Sequence, residues 1–314
     1  MRPTLRGGRL AALAAGLCAL GAAAPATAPA AVTYGIADQH AETFSDPQFH
    51  ATGMAVARLN VPWDALTTNA APVEAWLAGA RAAGVEPMIA FNRSTGSRCP
   101  SAPCVLPTIA QYTAAFDAFR ARFPWVTTFT PWNEVNDPGQ PTVGDPVRAA
   151  GYYKVIRDRC PSCTVLGADV IDNGTQIAWL ASFLKATPVP PQLWGLHNYV
   201  DVNYFRTTGT EKTLAAMPGE VWLTETAGLV KYTDRYGVTR FPYDEERAAR
   251  ATTFLLSIVD AHPSRITRMY HYGWKQGGPK ETFDTGLLRA DNTPRPALAV
   301  LRPRLPGRPA PPAA

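Results

Sequence analysis

Short apolar or β-branched runs recur eight times along this chain, and each gap between them has room for one helix and two loops. The runs are Val32–Ala37, Ala55–Asn60, Pro87–Asn92, Val126–Trp132, Thr164–Asp169, Leu193–Tyr199, Glu220–Thr226 and Arg268–Trp274, with starts 23 to 48 residues apart. Such runs read as strands. The stretches between them read as helices. Pro72–Ala83 ends at Gly84, a C-cap residue. Thr108–Phe123 follows Pro107 and spaces Ile109, Tyr112, Phe116 and Phe119 three and four apart, an apolar stripe. Pro146–Arg159 carries Tyr152, Tyr153 and Ile156. Tyr243–Ala261 opens with Asp244, Glu245 and Glu246, which suit the positive end of a helix dipole.

Strands alternating with helices imply a parallel sheet. Eight repeats within residues 31–301 match a single α/β domain of the (β/α)8 barrel type, usually roughly 250 residues long. A doubly wound open sheet would be expected to carry a Gly-rich phosphate loop after an early strand, and the sequence has none. The stretch 302–314 is rich in proline without periodic apolar positions and reads as a disordered tail.

Residues 1–30 have the form of a secretory signal peptide. Arg2, Arg6 and Arg9 precede an uncharged run from Leu10 to Ala24, and small residues follow to Ala31. The apolar run is shorter than the ~20 residues of a membrane span, and no other segment reaches that length. Cleavage after Ala30 would leave 284 of 314 residues; three arginines and no acids would go, taking the formal charge from +5 to +2. A near-neutral chain without a basic run argues against nucleic acid as the main partner. A secreted monomer is expected.

Four cysteines then remain, Cys99 with Cys104 and Cys160 with Cys163. In an oxidising compartment they read as two local disulfides. A zinc site taking two ligands from each pair is the rival, but the barrel reading puts these loops at opposite ends of the fold. No HExxH is present, His40, His50, His197, His262 and His271 show no ligand spacing, and there is no G-x-S-x-G elbow. Neither a metal nor an organic cofactor is expected.

A barrel carries its chemistry at the C-terminal ends of its strands. Those ends hold Asp38, Arg58, Asn60, Asn92, Arg93, Trp132-Asn133-Glu134, Asp169, His197-Asn198-Tyr199, Thr224-Glu225 and Trp274. Loop starts are polar in any barrel, so the identities matter more than the polarity. Two glutamates, Glu134 and Glu225, end the fourth and seventh runs. A pair of carboxylates across a cleft is what glycosidic cleavage requires, one protonated to serve the leaving oxygen and one ionised to attack. Arg58 and Tyr199 would keep Glu225 ionised; like charge and an apolar wall such as Trp132 would favour protonated Glu134. Asp38, Asn60 and Asp169 are equally well explained as buried structural groups.

These residues carry a resemblance. Trp132-Asn133-Glu134-Val135-Asn136 resembles the fourth-strand signature of clan A glycoside hydrolases, the retaining (β/α)8 superfamily with cellulase-like and family 39-like members. Val221-Trp222-Leu223-Thr224-Glu225 is similar to their nucleophile segment, Arg58 to their second-strand arginine, His197-x-Tyr199 to their sixth-strand pair and Trp274 to their eighth-strand tryptophan. Gly286-Leu287-Leu288 and Pro294-Arg295-Pro296-Ala297 resemble the clan's run into the last helix, so the likeness spans residues 32–300. Val135 departs from the proline of many relatives, and Asn92 from the histidine of some. The resemblance implies Glu134 as acid/base and Glu225 as nucleophile. It also implies substrate contacts from Arg58, Asn92, Trp132, Asn133, His197, Tyr199 and Trp274, with Trp63 a weaker sugar platform, and a β-linked glycan as substrate. The rival readings are a non-catalytic carbohydrate-binding barrel and a barrel hydrolase using cysteine-held zinc.

Overall fold

The computed structural model describes residues 31–277 and 281–307; the expected signal segment 1–30 and the tail end 308–314 lie outside the described residues. In chain order the barrel strands are β1 (Thr33–Ala37), β2 (Val56–Pro62), β3 (Glu86–Asn92), β4 (Thr128–Thr130), β5 (Thr164–Val165), β6 (Asp169–Ile171), β7 (Leu193–His197) and β8 (Glu220–Thr226). A hairpin, β9 (Lys231–Thr233) and β10 (Thr239–Phe241), then precedes the last barrel strand, β11 (Ile266–Tyr272). The barrel sheet runs β5-β4-β3-β2-β1-β11-β8-β7-β6, with parallel neighbours throughout.

The fifth expected strand is broken in two, and the break closes the barrel. Its first half pairs with β4 and its second with β7. Between the halves, Leu166 N–H bonds Phe129 O (2.9 Å) while Gly167 N–H bonds Leu193 O (2.8 Å). Residues 164–171 therefore face β4 on one side and β7 on the other, and the nine strands form an eight-position barrel.

The helices follow their local signals. Thr108 caps Ile109–Arg122 through a reciprocal box with Gln111. Asp145 caps Pro146–Arg159, and Asp244 caps Glu245–Ala261. Their apolar faces bury Tyr112, Phe116, Phe119, Tyr152, Leu255 and Ile258 against the outside of the strands. The tail expectation is corrected at its start. Arg302–Arg304 forms a 3-10 turn, Leu305 packs on the core, and Gly307 N–H bonds Thr52 O (3.1 Å).

Strand side chains alternate between the two faces, and this builds the barrel interior in layers. Val56, Met88, Leu166, Trp222 and Tyr270 pack as an apolar floor, separate from the larger layer between strands and helices. Two residues further along β2 and β8 come Arg58 and Thr224. One more step brings Asn60 and Asn92 to the rim, and a single step from Tyr270 brings Tyr272 there. Above the rim, β9 pairs with β10 and with Phe283–Asp284, so the loops after β8 and β11 join in a three-stranded sheet.

Candidate active site

Glu134 follows β4 on a turn tied down on every side. Asn133 N–H bonds Phe91 O (2.7 Å), Val135 N–H bonds Asp169 O (3.0 Å), and the Asn136 amide exchanges two bonds of 2.9 Å with the Ile171 backbone. Glu134 itself sits at φ +47°, in the left-handed region that non-glycine residues seldom occupy, with its carbonyl accepting from Asp137 N–H (2.8 Å). Strain of this kind persists where surrounding contacts over-determine it, and it gathers at functional sites.

Glu225 is gripped through both oxygens. Arg58 Nη1 donates to Oε2 (2.9 Å) and Tyr199 Oη donates to Oε1 (3.1 Å). Burial pushes the Tyr199 phenol well above its ordinary value and the Glu225 charge adds to this, so Tyr199 stays a donor. An oxygen of Glu134, an oxygen of Glu225 and a nitrogen of His197 all lie within 4.8 Å of one another. The side chain of Glu225 is 9% exposed and that of Glu134 is 23% exposed, so Glu134 is the more open acid.

Beneath the two acids lies a buried charge cluster. Arg58 Nη2 donates to Asn133 Oδ1 (2.6 Å) and to Asp169 Oδ2 (2.7 Å). His197 Nδ1 meets Glu134 Oε1 at 3.1 Å, and its Nε2 faces Asp169 Oδ2 at 3.6 Å. Arg58 Nη2 and His197 Nε2 are 3.4 Å apart, so Asp169 is the anion between two cations. Thr224 Oγ1 donates to the other Asp169 oxygen (3.0 Å). Burial raises the Asp169 carboxyl, but Arg58 and His197 outweigh it and the net shift is downward. For His197, burial lowers the pKa, yet the Glu225 charge and the bonds to Asp169 and Glu134 prevail and push it up to about 9. His197 is thus an imidazolium at neutral pH.

The structure brings some of the expected site residues together and places others elsewhere. Asn92, Asn133, Glu134, Tyr199 and Glu225 line one cleft of about 1230 Å³. Arg58 and His197, expected among the substrate contacts, are instead fully buried and do not line it. The wall facing Glu134 is His197, not the Trp132 ring. That tryptophan is buried in the outer layer, stacked on Tyr152 with centroids 5.4 Å apart and bonded through Nε1 to Gln140, because β4 ends at Thr130 and the chain turns at Pro131. Trp274 is also buried. Strand alternation from Tyr270 would aim it inward, but Gly273 at φ +79° turns the chain, and the indole packs edge-on to Phe49 with Nε1 donating to Asp46 (2.9 Å). Trp63 packs on the outer core. Asp38 is structural, its oxygens accepting from His40, Thr43 and Trp274 N–H.

The cleft's aromatic lining comes instead from Tyr272, Tyr232, Phe241 and Phe283. Counting by two from Tyr270 points to Tyr272, and the 48-residue gap before the last strand, the longest of the set, marks the hairpin insertion. Cys99 and Cys104 are bonded at 1.93 Å beside the cleft, and Cys160 and Cys163 at 1.98 Å in a helix-to-strand loop at the other end. The four sulfurs are thereby committed, and the zinc rival has no thiolates to use. Among the described residues, Glu134, His197 and Glu225 are close enough to one another to hold a cation.

No protein-family model matches the chain, and no curated protein matches it in sequence. Solved structures are similar to it in fold. A family 39 glycoside hydrolase from the gut symbiont Bacteroides cellulosilyticus WH2 matches with TM-score 0.56 and 14% identity over 88% of this chain; the chain spans 63% of that protein. A triple mutant of an endo-beta-1,4-glucanase from Xanthomonas axonopodis pv. citri matches with TM-score 0.62 and 14% identity, over 87% of this chain and 98% of that one. Xylanase 10B from Thermotoga petrophila RKU-1, in complex with xylobiose, matches with TM-score 0.60 and 12% identity, over 87% and 93%. The likeness is one of fold: the chain is a (β/α)8 barrel of the kind these enzymes have.

Proposed function

We propose that this chain is a retaining glycoside hydrolase that cleaves β-linked poly- or oligosaccharides by double displacement, as the resemblance to clan A implies. The observation that carries the reading is the spacing of the two acids. An oxygen of Glu134 and an oxygen of Glu225 lie within 4.8 Å of each other, which supports the close pair of a retaining enzyme, about 5–5.5 Å, over the wider roughly 6.5–9.5 Å of an inverting one.

In this reading Glu225 attacks the anomeric carbon. Arg58 and Tyr199 fix both its oxygens, which aligns the nucleophile. Glu134, the more exposed acid, gives its proton to the departing oxygen, and the imidazolium of His197 offsets the negative charge that Glu134 then acquires. Water arriving in place of the leaving group loses its proton to Glu134 and attacks the glycosyl–Glu225 ester, so configuration is retained. Asn133 has its carbonyl tied to Arg58, which leaves its amide N–H groups for a sugar hydroxyl. Secretion is part of the proposal, supported by the two disulfides and the form of residues 1–30. No helix among the described residues is long and apolar enough to cross a membrane.

The test is hydrolysis of a panel of β-linked glycans by wild type, Glu134→Gln and Glu225→Gln. Glu225→Gln should fall to background and Glu134→Gln by about 10²–10⁴-fold. Wild type no more active than Glu225→Gln on every glycan would leave a carbohydrate-binding barrel instead.

A further inference from the structure

Three arginines line the cleft: Arg93, Arg235 and Arg240. Two are matched by acids, Arg235 with Asp137 (3.2 Å) and Arg240 with Asp234 (2.8 Å). Arg93 has no carboxylate partner among the described residues. Its position is nonetheless fixed. Its backbone N–H bonds Asn92 Oδ1 (2.8 Å) at the end of β3, and its Nη1 donates to the carbonyl of Gly139, on the turn that follows Glu134. Asp137, on that same turn, is already engaged by Arg235 and by Gly139 N–H (2.6 Å).

A guanidinium has five N–H donors in a planar fork. Arg93 uses one of its side-chain donors on protein, is only partly buried and lines the cleft, which leaves donors for a ligand. The natural complement of such a fork is a carboxylate, held by two parallel charge-assisted hydrogen bonds. We infer that Arg93 is a specificity-determining residue that binds the carboxylate of a uronic acid unit, so that the cleft selects acidic glycans over neutral ones. This rests on the glycosidase reading for the identity of the cleft, and its test reads binding, not cleavage.

The experiment compares uronate-bearing polysaccharides (glucuronoxylan, gellan and hyaluronan) with the same polymers after chemical reduction of their carboxyls to hydroxymethyl groups. Binding by Glu225→Gln protein is measured by affinity electrophoresis, alone and combined with Arg93→Gln. Arg304→Gln, which removes an equal charge beside Tyr34 at the opposite end of the barrel, is the control. The expected result is at least tenfold tighter binding to the native form of one polymer, a preference that falls as salt rises, collapses in Arg93→Gln and persists in Arg304→Gln. Equal binding to native and reduced forms of all three, no binding to any, or a proportional loss on both forms in Arg93→Gln would overturn it. The last outcome would make Arg93 a structural brace for the Gly139 turn. A preference without any cleavage by wild type would keep the inference while removing the hydrolase reading.

Discussion

Asp169 and Gly195 sit directly opposite each other in the register of β6 and β7, and a Cβ at position 195 would lie 1.7 Å from Asp169 Oδ1. The barrel wall thus carries a glycine so that the carboxylate between Arg58 and His197 has somewhere to be. Gly195→Ala is expected to displace Asp169, lower stability by about 1–3 kcal/mol and reduce kcat far more than KM. Thermal melts beside steady-state kinetics check this; an alanine variant with wild-type kcat would show that the site tolerates a displaced Asp169.

Asp169→Asn removes the charge while keeping the shape. Arg58 and His197 then face each other without the anion between them, and breaking a buried ion pair in this way costs on the order of 3–5 kcal/mol. The His197 pKa should fall, which nitrogen NMR of the imidazole can follow directly. An unchanged His197 titration would mean that Glu134 and Glu225 alone hold the ring protonated.

His197 also sets a pH dependence. Its folded-state pKa, about 9, lies above the ordinary 6.5, so its contribution to stability is full below about pH 6.5 and is lost as pH rises through 9. Wild type should therefore melt progressively lower from pH 7 to pH 10, and His197→Gln should show a smaller drop over the same window. Parallel melting curves for the two proteins would contradict it.

The two aromatic residues at the end of the last strand should separate cleanly. Tyr272 lines the cleft while packing on Phe283, and Tyr272→Ala is expected to raise KM severalfold with a smaller loss of stability than Trp274→Ala. Trp274 is core, and Trp274→Ala should cost about 3–5 kcal/mol with KM unaffected in the folded protein. Glycan titration and chemical denaturation of both variants distinguish this from a Trp274 sugar platform, which would give the opposite pattern.

Much of this arrangement was legible because strand periodicity is local. Eight runs of the right length dictated the barrel, and their C-terminal ends brought Arg58, Asn133, Glu134, Tyr199 and Glu225 together. What stayed hidden depended on departures from that periodicity. The split of the fifth strand at Leu166-Gly167-Ala168 is decided by hydrogen bonds to β4 and β7, remote in sequence. The left-handed turn at Gly273 sent Trp274 outward, and the end of β4 at Thr130 did the same to Trp132. Asp169 stood at a strand end like many acids, and only the opposing Gly195, across the β6–β7 pair, marks it as part of the site.

The central claim is that Glu225 forms a covalent bond to the sugar while Glu134 handles the proton. Its most direct measurement is peptide mass spectrometry after incubation with a panel of 2-deoxy-2-fluoro-β-glycosides, which slow the second step and trap the intermediate. The account predicts a mass increase of one fluoroglycosyl group on the peptide carrying Glu225, absent in Glu225→Gln. A label on Glu134 or on any other residue, or rapid turnover of natural glycans with inversion at the anomeric carbon, would contradict it.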